Sequence, residues 1–348
     1  MTTNSLRPGV FSSYTVTSSA IAGATIQYAA VCACALGGVA GKLYRFTGYA
    51  EAAAVFSGGT MLTAIKQLLE HGVSQVVCVA VSTTAAAPTD ESYTLAFEAV
   101  SEVQNIGVVL CDSHTPAVQS ALLKSINGSC EALKERVAMV SADTAESAAE
   151  LATLLNSERI CLCYPASTYN GVTSSFVTAC AFAGMVLASA VDENLSGSVC
   201  TGIVPAGENL SESSVQTLLG SGVTVFEAVH TNVECIKAVT TRTKTSGVTD
   251  YNFSNISTIR IIDQILQRAR NTMKALLKTA KSGTATMQSM ASQMTVLLAA
   301  TVDEGLLRSF EAPRIYPLAS DASVCVIELS FAVATAINQI HITAHIQL

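Results

Sequence analysis

The sequence predicts an α/β protein: a layered strand and helix core domain over residues 29–240, then a C-terminal α+β domain over 241–348, with extended β-strand arms at 1–28 and 339–348. Three observations predict it. From about Ala29 to Thr240, short apolar runs alternate with amphipathic stretches. Beyond Thr240 that rhythm gives way to two long helical patterns. From Ile340 to Leu348 apolar and polar residues then alternate strictly, as in a strand with one covered face. A chain of 348 residues is long enough for one large or two medium domains with proper cores, and two is the expectation.

The apolar runs 30–36, 75–81, 106–111, 137–140 and 159–164 read as strands buried on both faces. Between them, residues 60–71 (Met61, Leu62, Ile65, Leu68, Leu69), 91–103, 115–136 and 144–155 carry apolar side chains at helical spacing. Strand, helix, strand in this order implies a largely parallel sheet. A helix at 211–219 and apolar runs at 223–229 and 233–239 close the domain. Residues 176–191 resemble a membrane span, but the run is about two residues short of the usual minimum and lacks flanking Lys or Arg. It reads as a buried helix.

A polar stretch, 241–250, leads into a long helix over 256–281, where Ile259, Ile262, Leu266, Ala269, Met273, Leu276 and Ala280 form one narrow apolar stripe. Its other faces carry Arg260, Arg268, Arg270, Lys274, Lys278 and Lys281. From Lys237 to Lys281 there are nine Lys and Arg against two Asp, a local +7, so the rest of the chain carries −14. Two readings stand: a solvated helix face, or an interface where Arg260, Arg268, Arg270, Lys274 and Lys278 meet an acidic surface on a neighbouring copy. A second helix follows, with Met287, Met290, Met294 and Leu297 as core residues and Gly305 ending it. Residues 323–331 read as a strand, joined through 332–338 to the terminal strand of Ile340, Ile342, Ile346 and Leu348. The N-terminal residues 8–17 mirror it, with Val10, Phe11, Tyr14 and Val16 in an extended, β-prone run. A terminal strand pairs either within its own subunit or with the sheet of another molecule.

Half of the residues are apolar and 13% are charged, a surface that invites self-association. A net charge of −7 argues against a nucleic-acid partner, since phosphate binding rests on Lys and Arg. The 11 cysteines sit mostly in apolar runs and read as small buried hydrophobes in a reducing compartment. Residues 1–9 do not have the pattern of a secretion signal.

Searches for a reaction centre give no catalytic, cofactor-binding or metal-ligating set. Gly37-Gly38-Val39-Ala40-Gly41-Lys42 resembles a phosphate loop, but its glycine spacing is one residue short and Leu43 stands where Ser or Thr is needed. Cys32 with Cys34, and Cys161 with Cys163, lack the spacing of a zinc knuckle. His341 and His345 lie about 13 Å apart on a strand and cannot share one ion. Asp192 with Glu193, and Asp303 with Glu304, are adjacent pairs whose side chains diverge.

The opening Arg7-Pro8-Gly9-Val10-Phe11, residues 41–81, Leu155-Asn156-Ser157-Glu158-Arg159 and the run from Thr240 to the terminal strand are together similar to the contractile phage tail sheath family. The opening Arg7-Pro8-Gly9-Val10-Phe11 resembles the start of many such proteins, and 41–81 resembles their first strand and helix unit. The stronger likeness is C-terminal: Thr240-Thr241-Arg242-Thr243-Lys244, then Tyr251-Asn252-Phe253, then the long helix with Arg260-Ile261-Ile262-Asp263, a second helix, and 323–331 before the terminal strand. Leu155-Asn156-Ser157-Glu158-Arg159 resembles the family as well. The large outer insertions of bigger sheaths are missing. The resemblance implies a structural subunit and no enzyme, a helical homopolymer around a tail tube protein, with baseplate and tail terminator proteins as further partners and no cofactor, nucleic acid or membrane. It implies that residues 1–20 and 339–348 exchange as strands between neighbours. It also implies a place in the tail of a virion or phage-like particle assembled in the bacterial cytoplasm. An α/β enzyme of the dinucleotide or thiolase-like kind, and a self-assembling shell or surface-layer protein, remain as alternatives.

Overall fold

The structure, a computed structural model, describes residues 27–276 and 283–334. The arm expected at 339–348, the first 26 residues of the one expected at 1–28, and Lys278 and Lys281 therefore lie outside the described residues, while Tyr28 already belongs to the first strand. The chain enters β1 (Tyr28–Cys34), then β2 (Leu43–Phe46), α1 (Tyr49–Val55), α2 (Thr60–Glu70) and β3 (Val76–Ser82). Three helix and strand repeats follow: α3 (Asp90–Ser101) into β4 (Ile106–Cys111), α4 (Pro116–Glu131) into β5 (Val137–Ser141), and α5 (Ala145–Leu155) into β6 (Ile160–Tyr164). The segment after them is more broken: β7 (Ser167–Tyr169), β8 (Val172–Ser174), α6 (Ser175–Ala188), β9 (Ser198–Cys200), β10 (Val204–Pro205), α7 (Glu212–Gly220), β11 (Val223–Val229) and β12 (Asn232–Lys237).

These strands build a nine-stranded sheet in the order β2-β3-β1-β4-β5-β6-β11-β12-β9. From β3 to β11 the pairs are parallel, and both margins are antiparallel. Helices cover the central strands on both sides, so β3 and β4 are buried at every position. That is why they read as unbroken apolar runs. One side is packed by α3, α4, α5 and α7, the other by α2 and α6. Helix α6 is buried at 11 of its residues because it is wedged between the sheet and α2, which explains its span-like sequence. No helix among the described residues is long and apolar enough to cross a membrane.

Local signals start and stop the helices as expected. Thr144 and Ser147 form a capping box at the start of α5. Pro116 opens α4, where its missing N–H costs nothing.

The C-terminal region holds a small hairpin, β13 (Lys244–Thr245) with β14 (Val248–Thr249), then α8 (Ile256–Leu276) and α9 (Thr284–Asp303). Strands β15 (Leu307–Phe310), β16 (Arg314–Leu318), β17 (Asp321–Glu328) and β18 (Phe331–Val333) follow. The strand expected at 323–331 is thus two strands: β17 pairs with β16, and β18 turns to pair with β15. Met273, Met290 and Met294 form a small core where α8 meets α9, with Leu297, Ile315 and Ile327 against it; Met290 and Met294 pack as expected, while Met287 is half-buried and lies outside this core. The narrow stripe expected on α8 is wider in the structure. Ile261 and Ile265 are buried together with Ile259, Ile262 and Leu266, because the first half of α8 sinks into the core beneath α6.

Candidate functional site: the seam between the sheet and the long helix

Helix α5 ends at Asn156, whose backbone is left-handed at φ 35° and ψ 55°. A short amide side chain tolerates this conformation because it bonds locally. Here it reaches the chain 87 residues on: Oδ1 accepts from the Thr243 and Lys244 amides at 3.0 and 3.1 Å, and Nδ2 donates to the Lys244 carbonyl at 3.0 Å. Next to it, the Ser157 amide donates to Thr241 Oγ1 at 3.0 Å, and that hydroxyl donates to the Ser157 carbonyl at 3.1 Å. The Thr241 amide donates to the Ile160 carbonyl at 2.8 Å, so 240–244 runs along the entry of β6.

Charges extend the seam. Glu158 pairs with Arg242 at 2.7 Å, and the Arg242 guanidinium lies 6.0 Å from the Phe253 ring centroid. Arg159 makes a bidentate pair with Asp263 of α8 at 2.8 and 2.9 Å. Seven residues further along α8, Arg270 reaches Glu135 at 2.6 Å. Two turns of helix separate Asp263 and Arg270, so both point to one side, towards β6 and the end of α4. Burial pushes the Asp263 carboxyl up from its ordinary 3.8, while the facing Arg159 pulls it back. Gly222, at φ 85°, permits the close packing beside the seam: a Cβ there would lie 2.9 Å from the Thr240 carbonyl oxygen.

The segments 155–159, 240–244 and 260–263, each singled out in the sequence, therefore meet at one place. Spacing along the chain could not reveal this, since the contacts join residues 84 to 104 positions apart.

Of the five cations read as contacts for a neighbouring copy, three have partners inside the subunit, and two of these, Arg260 and Arg270, are buried. Arg260 caps the end of α6, donating to Ser189 Oγ at 3.2 Å and to the Ser189 and Ala190 carbonyls at 3.1 and 3.3 Å; burial lowers its pKa to about 10. Arg270 pairs with Glu135, as above. The wide apolar face of α8 draws these two side chains inward. Arg268 is half-exposed and pairs with Glu304 at 2.8 Å, and Lys274 is exposed.

The sheet's carboxyl edge, where open α/β sheets hold ligands, is filled by the chain's own groups. Asp112, just past β4, accepts from the Cys34 amide at 2.9 Å, from the Tyr93 hydroxyl at 2.6 Å and from Thr60. The Gly37–Lys42 loop runs into β2 and not into a helix, so no helix N-terminus stands behind it for a phosphate. A further group has no signature in the sequence: His114 Nδ1 lies 2.7 Å from Asp143, and Nε2 lies 3.0 Å from Ser141 Oγ and 3.4 Å from Ser175 Oγ. The order Ser, His, Asp resembles a hydrolytic triad, but Ser175 is 4% exposed and Ser141 fully buried, so the ring ties the end of β5 and the start of α6 to the loop at Asp143. Burial raises the thiols of the half-buried Cys34 and Cys130 to about 11 and of the buried Cys200 to about 12; Cys325 alone is exposed.

No protein-family model matches this sequence, and no curated protein matches it either. Solved structures do match. A chain in the baseplate structure of the anti-feeding prophage is 12% identical, covering 99% of this chain and 100% of that one at a TM-score of 0.73. The sheath tail protein of Listeria innocua is 11% identical, covering 90% and 93% at 0.72. A chain of an extracellular contractile injection system, in the PVC sheath complex in its contracted state, is 11% identical, covering 99% and 98% at 0.70. The chain has the fold of these contractile-system proteins over almost its whole length.

Proposed function

We propose that this chain is the sheath subunit of a contractile tail or injection system, a structural protein that polymerises helically around a tube and drives it by shortening. The observation that carries the reading is the extent of the fold match. It runs through the seam, α8, α9 and the C-terminal hairpins, parts that an α/β enzyme has no need of. The partners that follow are further copies of this chain, a tube protein inside the polymer, and baseplate and terminator proteins at its ends.

In this reading contraction needs no fuel. Subunits assemble in an extended lattice of higher energy and, once triggered at one end, move outward into a better-packed one; the energy is the difference in contacts between the two lattices. The seam keeps each subunit rigid while it moves. The arms, with Val10, Phe11, Tyr14 and Val16 at one end and Ile340, Ile342, Ile346 and Leu348 at the other, exchange as strands and keep neighbours linked. The β16–β17 hairpin supports this part of the reading: among the described residues its two strands pair only with each other, leaving both edges open to an added strand.

The test is negative-stain microscopy of the chain co-expressed with the tube protein, with and without residues 339–348. Hollow tubes from the full chain that vanish on truncation are the expected result. Small discrete oligomers from both forms overturn the sheath reading, and tubes from both overturn the exchanged C-terminal arm.

A further inference from the structure

The nine-stranded sheet ends in two short antiparallel strands, β2 and β9, each paired on one side only. Helices α3, α4, α5 and α7 cover the middle of one sheet face, and beyond them exposed cations flank the β2 edge while glutamates stand at the other margin. At the β2 margin Arg45 stands opposite Val77, a residue of the core under those helices, so it lies on that face. Lys42 just precedes the strand and by alternation stands on the other face, with Tyr44, so the two cations flank the sheet edge; both are exposed. Lys42 Nζ lies 5.0 Å from the Tyr44 ring centroid and Arg45 donates to Gln75 at 3.2 Å; among the described residues neither forms an ion pair. Val39 beside them is 56% exposed.

At the other margin the register aligns Glu227 of β11, Glu234 of β12 and Val199 of β9 in one row. Glu227 alternates with Val223 and Val225 of the same core, so this row is on the same face. Like charges directly opposed across an antiparallel pair are destabilising, yet among the described residues no ion pair neutralises either carboxylate. Glu208 shares the adjoining cleft with Glu227, and Val199 is 39% exposed. The two margins cannot meet within one molecule, because eight inter-strand steps of about 4.8 Å separate them, roughly 38 Å.

We propose that the two margins dock on each other between copies: Lys42, Arg45 and Val39 of one subunit against Glu227, Glu234 and Val199 of the next. Charge complementarity selects a second copy of this chain as the occupant, and the choice rests on the sheath reading. Two different surfaces meeting head to tail form a heterologous contact, which generates rings or open helices. It is separate from the arms, and it brings cations to Glu227 and Glu234 only on assembly.

The experiment uses the full chain and measures self-association by sedimentation at low salt, beside tube formation with the tube protein. K42E/R45E and E227K/E234K are compared with wild type, alone and mixed one to one; circular dichroism checks that each folds. Each variant alone is expected to associate about tenfold or more weakly, since like charges then face each other. The mixture is expected to recover, because all-acidic and all-basic copies alternate. The exposed pair K42E/R45E keeps the test valid should the half-buried glutamates disturb folding. Wild-type association in K42E/R45E overturns the inference, as does failure of the mixture of folded variants to recover. Tubes that form normally in both variants overturn it and leave the sheath reading standing. Charge-dependent association without tubes from wild type keeps the docking and removes the sheath reading.

Discussion

The centre of the sheet and the seam beneath it are both buried, but opposite chemistry holds them. Strands β3 and β4 are covered by apolar side chains on both faces, and their stability is that of area removed from water. At the seam, directed bonds join Asn156 to the Thr243 and Lys244 backbone, Thr241 to Ser157, and Arg159 to Asp263. Apolar packing is tolerant of its partners, whereas a buried polar network accepts one arrangement only. The sheet therefore supplies stability, and the seam fixes where α8 sits.

The largest effects test that division. Phe182, fully buried and edge-on to Phe226 at 5.6 Å, is expected to cost about 3–5 kcal/mol when changed to Ala, with little dependence on pH. Arg159→Met is expected to cost a similar 3–5 kcal/mol, for a different reason: it leaves the Asp263 carboxylate buried without its counter-charge. The two separate on repair and on pH. Replacing the whole pair, as in R159M/D263L, should recover most of the loss, because no charge is then stranded. Burial already holds the Asp263 proton more tightly in the folded chain than its ordinary 3.8, and without Arg159 this grows. That contribution is fully present below 3.8 and is lost as pH rises through the folded value, so R159M should lie nearest wild type in acid and fall behind towards neutrality. Urea unfolding at several pH values reads both. A pH-independent loss in R159M would mean that the seam is packing alone.

Intermediate effects probe the backbone of the seam. Gly222→Ala places a Cβ 2.9 Å from the Thr240 carbonyl oxygen at a positive φ, with an expected loss of about 1–3 kcal/mol. Asn156→Ala removes three bonds to 243–244 together with a side chain suited to the left-handed turn, and is expected to cost about as much. Its signature should be local: amide exchange rising at Thr243 and Lys244 before it rises in β4.

The same division decides what was legible in the sequence. Ile106–Cys111 reads as β4 residue for residue, and the helices 60–71 and 144–155 fall within a residue of α2 and α5, because buried parallel strands and amphipathic helices each impose a period. The strands β2, β7, β9 and β10 escaped, since two to four residues in mixed surroundings carry no period. The seam motifs were visible as segments but not as neighbours. Arg260 and Arg270 misled for a related reason: on a helical wheel a cation off the apolar stripe reads as solvated, and only the packing of α6 and Glu135 shows them turned inward.

The smallest effect in the isolated subunit has the most to say about assembly. Arg268 is half-exposed and pairs with Glu304 at 2.8 Å, and surface pairs of this kind contribute about 0–1 kcal/mol. Arg268→Glu should therefore shift the urea midpoint of the monomer very little. If Arg268 serves only this pair, tubes from the variant will match wild type in yield and length. If α8 presents it to a neighbouring copy, the reversal places a carboxylate against an acidic surface, and tube yield will fall while monomer stability stays where it was. A fall in both together would instead make Arg268 a member of the fold, like Arg260 and Arg270, and leave Lys274 as the only described cation of the helix available for assembly.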